Sequence, residues 1–441
     1  LEAMPVPDTT TENGRRLLLA HVDGDGFASR AEFPGGLYAG EVMYQEVLRK
    51  YQIPTTVSVI EGEVGAKGLY PKLSRRLEKV SRAMYALPHI ELASHSYSHP
   101  FFWRDFIVLG SEKPGKYNLN VPGYVFDSGS FAREIAGSID YINARLAPPN
   151  QQVQVFLWTG DCDPPPEAVA EAYAIHVGNM NGGDTIMTER NKSLTAVAPF
   201  GVKKGQYFQI YAPNQNENIY TNEWTGPFYG FEQVIETFEL TDRPRRLKPI
   251  NIYYHTYSAS KKSALTALQH VYDWAMKQSS NPIYVSEYIK KVHDFNKIVV
   301  AKSGETWKIR GIHHLKELRV AQSLGYPDFS NSTGVAGYSD HESDRYLHLS
   351  TRNEVTLRFR ESPPTLPYIH QSNGQLLSWK RSGQTISFSL KAYQPLTLSL
   401  ANIKKCQVKP QVAYAKNRQE GNILNLVVRK PRAKPISFTC F

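Results

Sequence analysis

Two histidines four residues apart are the first feature of this sequence that could do chemistry. They end the stretch Ile90-Glu-Leu-Ala-Ser-His-Ser-Tyr-Ser-His-Pro-Phe101, in which a short apolar run leads into His95 and His99. One helical turn brings residues i and i+4 onto the same face, and two imidazoles placed that way can hold one metal ion. The sequence therefore predicts a metal site to which this pair supplies two ligands.

Carboxylates at the end of an earlier apolar run are candidates for completing that site. Residues 17–22 form the run, and Asp23-Gly-Asp-Gly26 follows it. On an extended segment Asp23 and Asp25 point to the same side, because the side-chain period of a strand is two. A surface turn is the alternative interpretation, since Asp and Gly are ordinary turn residues.

Strand and helix patterns alternate over the first two thirds of the chain. Strands are predicted at 17–22, 55–60, 89–93, 153–158 and 249–255, and helices at 40–51, 73–85, 131–146, 167–175, after Ser260 and at 288–295. This alternation predicts an α/β fold with parallel strands. Ligands bind at the carboxyl ends of the strands in such folds, which is where the candidate residues and His255 would lie.

Further carboxylates follow two of the predicted strands. Glu61 and Glu63 come after the second strand, and Asp161 and Asp163 come after the strand 153–158. Helix capping and turn formation are the favoured interpretation for the second pair.

The region 200–230 is rich in aromatic residues. Core or loop packing explains most of them, while Trp224 and Tyr229 are candidates for stacking on the apolar face of a sugar ring.

The later part of the chain differs in pattern and charge. Short alternating runs separated by turn residues begin at about Gly334 and predict an all-β sandwich. The net charge of the 441 residues is +10; from Ser330 onward there are 16 Lys and Arg against 6 Asp and Glu, and before it 35 of each. We predict a linker at 1–14, an α/β domain at 15–330 and the β-sandwich at 331–441.

Composition excludes several other classes of protein. No apolar run reaches the roughly 20 residues that a membrane span needs, and no nucleic-acid motif accompanies the positive charge. Three cysteines are too few for a disulfide framework, but a Cys406–Cys440 bridge is a hypothesis that suits an oxidising compartment.

The order of the motifs resembles the polysaccharide deacetylases of the NodB type. An Asp-bearing first strand, a His-Ser-x-x-His-Pro motif and a late strand ending in His carry the resemblance. The segments 21–30, 94–99 and 158–163 are most similar to the deacetylases of Pel exopolysaccharide systems, and fungal galactosaminogalactan deacetylase is a more distant relative. A glycine splits the two aspartates, and the family's Arg-bearing third and Trp-bearing fourth motifs are not found.

The resemblance implies a distorted (β/α) barrel of NodB type, followed by the β-sandwich. It also implies a periplasmic enzyme that removes N-acetyl groups from a GalNAc-containing biofilm polymer during biosynthesis and export. A polysaccharide substrate and an outer-membrane export protein with helical repeats would be its partners, and the chain would be a C-terminal fragment of a longer protein.

Roles for single residues follow from the same resemblance. Asp25, His95 and His99 would hold a divalent metal ion, with zinc suited to nitrogen and oxygen ligands. Asp23 would act as general base and His255 as general acid, although Asp23 and Asp25 could exchange roles. Glu61, Glu63, Asp161 and Asp163 could orient a histidine.

Two other classes stay open. One is a metal-free carbohydrate-binding protein whose β-sandwich binds the ligand. The other is a glycoside hydrolase that uses paired carboxylates such as Asp161 and Asp163.

Overall fold

The computed structural model describes residues 3–104, 119–127, 129–350, 353–409, 414–428 and 434–441. Up to Phe295 it alternates strands and helices. The strands of this part are β1 Val6–Pro7, β2 Thr11–Glu12, β3 Arg15–Asp23, β4 Thr55–Val59, β5 Ile90–Ser94, β6 Val155–Leu157, β7 Gly178–Met180, β8 Gly201–Lys204, β9 Tyr207–Ile210, β10 Ile250–His255 and β11 Ser280–Pro282.

Helices connect these strands. They are α1 Ala39–Val42, α2 Glu61–Val64, α3 Ser74–Tyr85, α4 Ser138–Arg145, α5 Pro166–Ala174, α6 Glu217–Tyr220, α7 Val234–Leu240, α8 Lys262–Lys277 and α9 Val285–Phe295. The π-helical segment Met43–Leu48 continues α1, and Arg133–Gly137 leads into α4. Short 3₁₀ turns lie at Leu194–Ala196, Gly230–Gln233 and Thr256–Ser260.

The sheet that carries the candidate residues has the strand order β10-β3-β4-β5-β6-β7-β9-β8, with β2 and β11 also paired to β3. It is curled into a half-barrel. From β10 to β7 the neighbouring strands are parallel. Alternate residues of β3 enter two different apolar clusters: Leu18 packs in one, and Leu17 in the other. Burial on both faces explains why the run is continuously apolar, as is usual for parallel sheets.

From Val299 onward the described chain is almost entirely β. Its strands are β12 Val299–Ser303, β13 Thr306–Arg310, β14 Glu317–Ala321, β15 Tyr326–Pro327, β16 Val335–His341, β17 Asp344–Leu349, β18 Glu354–Leu357, β19 Phe359–Arg360, β20 Tyr368–Ser372, β21 Gln375–Ser382, β22 Thr385–Lys391, β23 Leu396–Ala401, β24 Cys406–Lys409, β25 Tyr414–Glu420, β26 Ile423–Val428 and β27 Ile436–Cys440. A 3₁₀ turn, Gln322–Leu324, follows β14.

Two of the β sheets enclose a common core. One has the order β1-β14-β17-β16-β20-β23-β26-β25 and the other β21-β22-β27-β24. Phe388 and Phe438 of the smaller sheet share an apolar cluster with Leu398 and Leu426 of the larger one. The predicted α/β part followed by an all-β part is thus confirmed. Because β1 pairs with β14, the first described residues belong to a β sheet of the later region, and the predicted domain boundaries stay predictions.

Two predictions made from composition concern the Cys406–Cys440 bridge and membrane spans. Cys406 and Cys440 form a disulfide that joins the neighbouring strands β24 and β27, while Cys162 is a free thiol. None of the helices in the described ranges has the length and apolar character needed to cross a membrane.

Candidate metal centre

The two histidines lie in a turn, not on a helix. β5 ends at Ser94, and the turn that follows has positive φ at Ser96 (68°) and at His99 (55°). The predicted helical turn is therefore wrong, because a left-handed backbone at two positions cannot continue an α-helix. The turn still brings the imidazoles together, with ring centroids 5.2 Å apart.

The Asp-Gly-Asp-Gly segment is shaped by its glycines. A Cβ at Gly24 would meet the backbone nitrogen of Ile60 at 2.9 Å, so only glycine allows this approach to the end of β4. Gly26 has a φ of +70°, which turns the chain away from the sheet. Asp23 is the last residue of β3, and Asp25 lies in the turn above it.

The carboxylate of Asp25 lies between the two imidazoles. His95 Nε2 is 2.9 Å from its Oδ2, and His99 Nε2 is 2.8 Å from its Oδ1. Burial alone would raise the pKa of Asp25, but the neighbouring imidazoles, that of His99 foremost, hold it well below its ordinary value. Ligand atoms of these three residues all lie within 4.8 Å of one another.

One atom of this cluster lacks the partner that burial demands. Asp25 Oδ2 is buried, and no hydrogen bond is directed at it. His95 Nδ1 lies 2.9 Å from the carbonyl oxygen of Leu157, so this nitrogen carries the proton and donates it to that carbonyl. In the neutral ring, Nε2 then carries its lone pair on the side of Asp25. A buried carboxylate oxygen without a donor and a free imidazole nitrogen fit a cation.

Asp23 is held by side chains from two other elements of the sheet region. Its carboxylate accepts hydrogen bonds from Tyr253 Oη at 2.8 Å and from Asn181 Nδ2 at 3.1 Å. Its side chain is only 3% exposed. Asn181 follows β7, so it too lies at the carboxyl end of a parallel strand.

His255 ends β10 and is oriented by a buried glutamate. Its Nδ1 lies 3.0 Å from Glu217 Oε1, while its Nε2 faces Asp23 Oδ2 at 3.8 Å and Asp25 Oδ2 at 4.0 Å. Burial alone would lower the pKa of His255, but the charges of Glu217 and Asp25 outweigh it and raise the pKa to about 10. The ring is therefore a cation that can offer a proton toward the aspartates.

Glu61 and Glu63, the two glutamates that follow β4, contact different parts of the structure. Glu63 Oε1 accepts a hydrogen bond from the backbone nitrogen of Ala28 at 2.8 Å, so it braces the turn that carries Asp25. Burial raises the pKa of Glu63 to about 7. Glu61 forms a bidentate ion pair with Arg133 at 2.6 and 2.8 Å and therefore orients no histidine directly.

The second aspartate pair lies at the surface, on the loop after β6. Asp163 is 46% exposed in its side chain and forms ion pairs with Arg104 and Lys204. Asp161 accepts a hydrogen bond from the backbone nitrogen of Asp163 at 3.1 Å, as a turn former does. The carboxylate pair at the cluster is therefore Asp23 and Asp25.

The two aromatic candidates, Trp224 and Tyr229, also differ in their surroundings. Trp224 is half-buried and packs on Tyr257, with ring centroids 4.5 Å apart. Tyr257 stacks in turn on His255 at 4.7 Å, which connects Trp224 to the cluster. Tyr229 is 59% exposed and precedes the 3₁₀ turn Gly230–Gln233.

Sequence reasoning missed Glu217, Asn181 and Tyr253. Asn181 and Tyr253 could have been sought by their position, because one follows a strand and the other alternates with His255 on β10. Glu217 carries no comparable signal, since it lies in the short helix α6 after a long connection.

Comparisons with known proteins give no sequence relative. No family model and no curated protein matches the chain. Among solved structures, the chain aligns with the 4-alpha-glucanotransferase from Thermococcus litoralis at 8% identity and a TM-score of 0.39, over 97% of each chain.

Two further structures align over similar lengths. A GH30 endoxylanase from Clostridium papyrosolvens C71 gives 10% identity and a TM-score of 0.28, over 100% of this chain and 99% of the other. Endo-glycoceramidase II from Rhodococcus sp., in complex with a five-membered iminocyclitol, gives 10% and 0.25, over 98% and 99%. Likeness at this level does not by itself assign a function to this chain.

The comparisons correct the predicted family. No family model and no curated protein supports the resemblance to the polysaccharide deacetylases. The predicted family, the removal of N-acetyl groups from a Pel-type polymer and the description as a carbohydrate esterase are therefore wrong. Motifs as short as those at 21–30 and 94–99 describe the side chains of one local site, and similar sites occur in unrelated proteins.

Proposed function

We propose that this chain binds one divalent metal ion through Asp25, His95 and His99 and uses the site to hydrolyse a carbohydrate substrate. The proposal is supported above all by the buried Oδ2 of Asp25, which has no hydrogen-bond donor and lies 2.9 Å from His95 Nε2. Nitrogen and oxygen donors of this kind suit zinc. Three protein ligands leave a coordination position for water or substrate, as catalytic sites require.

Each residue of the cluster has a separate task in this proposal. The bound ion would supply Lewis acidity, which polarises a substrate oxygen and eases loss of a proton from water. Asp23, held by Tyr253 and Asn181, accepts that proton as general base. His255 donates a proton to the leaving group from Nε2. The charges of Glu217 and Asp25 raise the pKa of His255 and so favour the protonated ring that a general acid needs.

The carbohydrate class is supported by the aromatic side chains beside the cluster. Trp224, Phe228 and Tyr257 pack on one another next to His255. Aromatic faces of this kind stack on the C–H faces of sugar rings. All three side chains are half-buried, so the group reaches solvent beside the cluster.

A second candidate function is cleavage of a glycosidic bond by the pair Asp23 and Asp25. Their carboxylate oxygens lie within 4.8 Å of each other, close to the separation of about 5 Å between the carboxyl groups of retaining glycosidases. Such an enzyme needs one ionised and one protonated carboxyl group, and the imidazoles that hold the pKa of Asp25 low suit it to the ionised role. The position of Asp25 Oδ2, buried and 2.9 Å from His95 Nε2, favours the metal site as the first candidate.

Metal analysis tests the proposal directly. The protein is loaded with zinc and dialysed, and its metal content is measured for the wild type and for Asp25→Ala, His95→Ala and His99→Ala. We expect one equivalent in the wild type and loss of the ion in all three variants, and retention in all three would discard the site. Mass analysis of products from neutral and N-acetylated oligosaccharides, with and without chelator, then separates metal-dependent hydrolysis from metal-free chain cleavage.

We also propose that the protein works in an oxidising compartment such as the periplasm. The Cys406–Cys440 disulfide supports this, because such bonds persist where thiols are not kept reduced.

A further inference from the structure

A buried glutamate outside the ligand set contacts the turn between the two histidines. Glu134 lies in the π-helical segment Arg133–Gly137, and its side chain is fully buried. Its Oε2 accepts hydrogen bonds from the backbone nitrogens of Tyr97 and Ser98, both at 2.9 Å. Its Oε1 accepts one from Ser98 Oγ at 2.5 Å. One carboxylate therefore binds the two residues that lie in the middle of the turn.

The turn needs an external partner because its backbone is unusual. Ser96 and His99 have positive φ, a backbone conformation that costs free energy at a residue other than glycine. Such a conformation persists only where the surroundings fix it. Within the turn, Ser96 Oγ accepts from the backbone nitrogen of His99 at 2.9 Å, but the nitrogens of Tyr97 and Ser98 point out of the turn toward Glu134.

The segment that carries Glu134 is itself anchored to the strand and the turn. Arg133 lies over the ring of Tyr97 at 3.6 Å and pairs with Glu61. Ser138 Oγ donates to the carbonyl oxygen of Glu134 at 2.6 Å and lies 2.6 Å from Ser94 Oγ, at the end of β5. The carboxylate is therefore fixed relative to the strand from which the turn begins.

We infer that Glu134 is a positioning residue that holds His99 at the distance from His95 at which both can bind one cation. The inference rests on the proposed metal function. A carboxylate offers acceptors on both oxygens, so it can accept from two backbone N–H groups and a hydroxyl at once. Glutamine would place an NH₂ donor against one of these donors and would have to leave at least one of them unpaired.

The test compares Glu134→Gln with a matched variant. Glu91 is another buried glutamate that accepts hydrogen bonds from two hydroxyl groups and a backbone nitrogen, those of Thr56 and Ser286. It lies near the amino end of β5, away from the turn. Glu91→Gln therefore reproduces the loss of a buried carboxylate without touching the histidines.

Zinc affinity is measured by competition with a chromogenic chelator on the full chain, alongside thermal unfolding in the absence of metal. We expect Glu134→Gln to weaken zinc binding about 10- to 100-fold, the range seen when groups that orient metal ligands are removed. Glu91→Gln should lower stability with an affinity within about 2-fold of wild type. Equal zinc affinity in folded Glu134→Gln and wild type would overturn the inference.

Two further measurements keep the outcome interpretable. If the wild type binds no zinc, the proposed function fails, whereas zinc binding by wild type and its loss in His99→Ala show that only the role of Glu134 is at issue. Amide hydrogen exchange does not depend on metal. We expect faster exchange at Tyr97 and Ser98 in folded Glu134→Ala, which has no acceptor for either N–H group, and unchanged protection there would contradict the hydrogen bonding on which the inference depends.

Discussion

Glu217 binds His255 through both its ring and its backbone. Oε1 lies 3.0 Å from Nδ1 and 3.1 Å from the backbone nitrogen, and Ser258 Oγ donates to the same oxygen at 3.0 Å. The imidazole therefore has a fixed orientation, with Nε2 directed at the aspartates.

Glu217→Gln should reduce hydrolysis and leave the metal bound. Loss of the carboxylate charge lowers the pKa of His255, and the amide no longer fixes the protonated ring. We expect a rate about 10- to 100-fold lower and an alkaline limb of the pH–rate profile that moves to lower pH, because His255 must be protonated to act as general acid. Glu232, which pairs with the exposed His270 at 2.7 Å, offers the same substitution as a control. A Glu217→Gln enzyme with the profile of wild type would show that the pair has no part in proton transfer.

Asp23→Asn distinguishes the two aspartates. Asparagine keeps the shape of the side chain and removes the base, so we expect zinc content to stay at one equivalent while hydrolysis falls about 10²- to 10⁴-fold. Asp163→Asn removes a carboxylate that is paired with Arg104 and Lys204, and its rate should match wild type. Loss of zinc in Asp23→Asn would mean that the roles of Asp23 and Asp25 are exchanged.

Glu91 gives the fold a measurable dependence on pH. Burial raises its pKa from 4.5 to about 7. The folded state then binds more protons than the unfolded state between these values, so this residue lowers the free energy of unfolding as pH rises. As pH rises through that window, the free energy of unfolding of wild type should fall by about 3 kcal/mol relative to that of Glu91→Gln. Urea unfolding at pH 4 and pH 8 measures the shift, and a difference that stays constant would contradict it.

From the disulfide we expect a defined number of free thiols and a defined contribution to the free energy of unfolding. Native protein without reductant should show one reactive or denaturant-exposed thiol, that of Cys162, and three after reduction. The bond closes a segment with a sequence separation of 34, so its loss should lower the free energy of unfolding by about 4 kcal/mol. The double variant Cys406→Ser, Cys440→Ser measures this value, with Cys162→Ser as the control. Three thiols in the unreduced, denatured protein would contradict the bond.

The strands could be predicted from sequence because burial on both faces leaves a continuous apolar run. The predicted strand at 17–22 lies within Arg15–Asp23, and the predicted strand at 249–255 matches Ile250–His255 to within one residue. Parallel pairing then places Asp23 beside His255, whose Cα positions are register partners. This is why residues far apart in sequence could be expected at one site.

The surroundings of His95 and His99 could not be predicted in this way. Spacing of four suggested a helix for His95 and His99, but the left-handed residues between β5 and Pro100 depend on Glu134, which is 35 or more residues away. Glu217 likewise acts on His255, which lies 38 residues away in the sequence. Long-range hydrogen bonds of single side chains leave no periodic pattern in a sequence.

The pairing of β1 with β14 has a consequence for how the protein is made. Asn13 and Gly14 donate their backbone hydrogens to Glu317, and the carbonyl oxygen of Asn13 accepts from Ser372. Asn13 and Gly14 can therefore form these bonds only after the more than three hundred residues up to Glu317 have been synthesised. A gene shortened to the α/β region would leave both residues without these partners, so biochemistry should use a chain that retains the later β sheets.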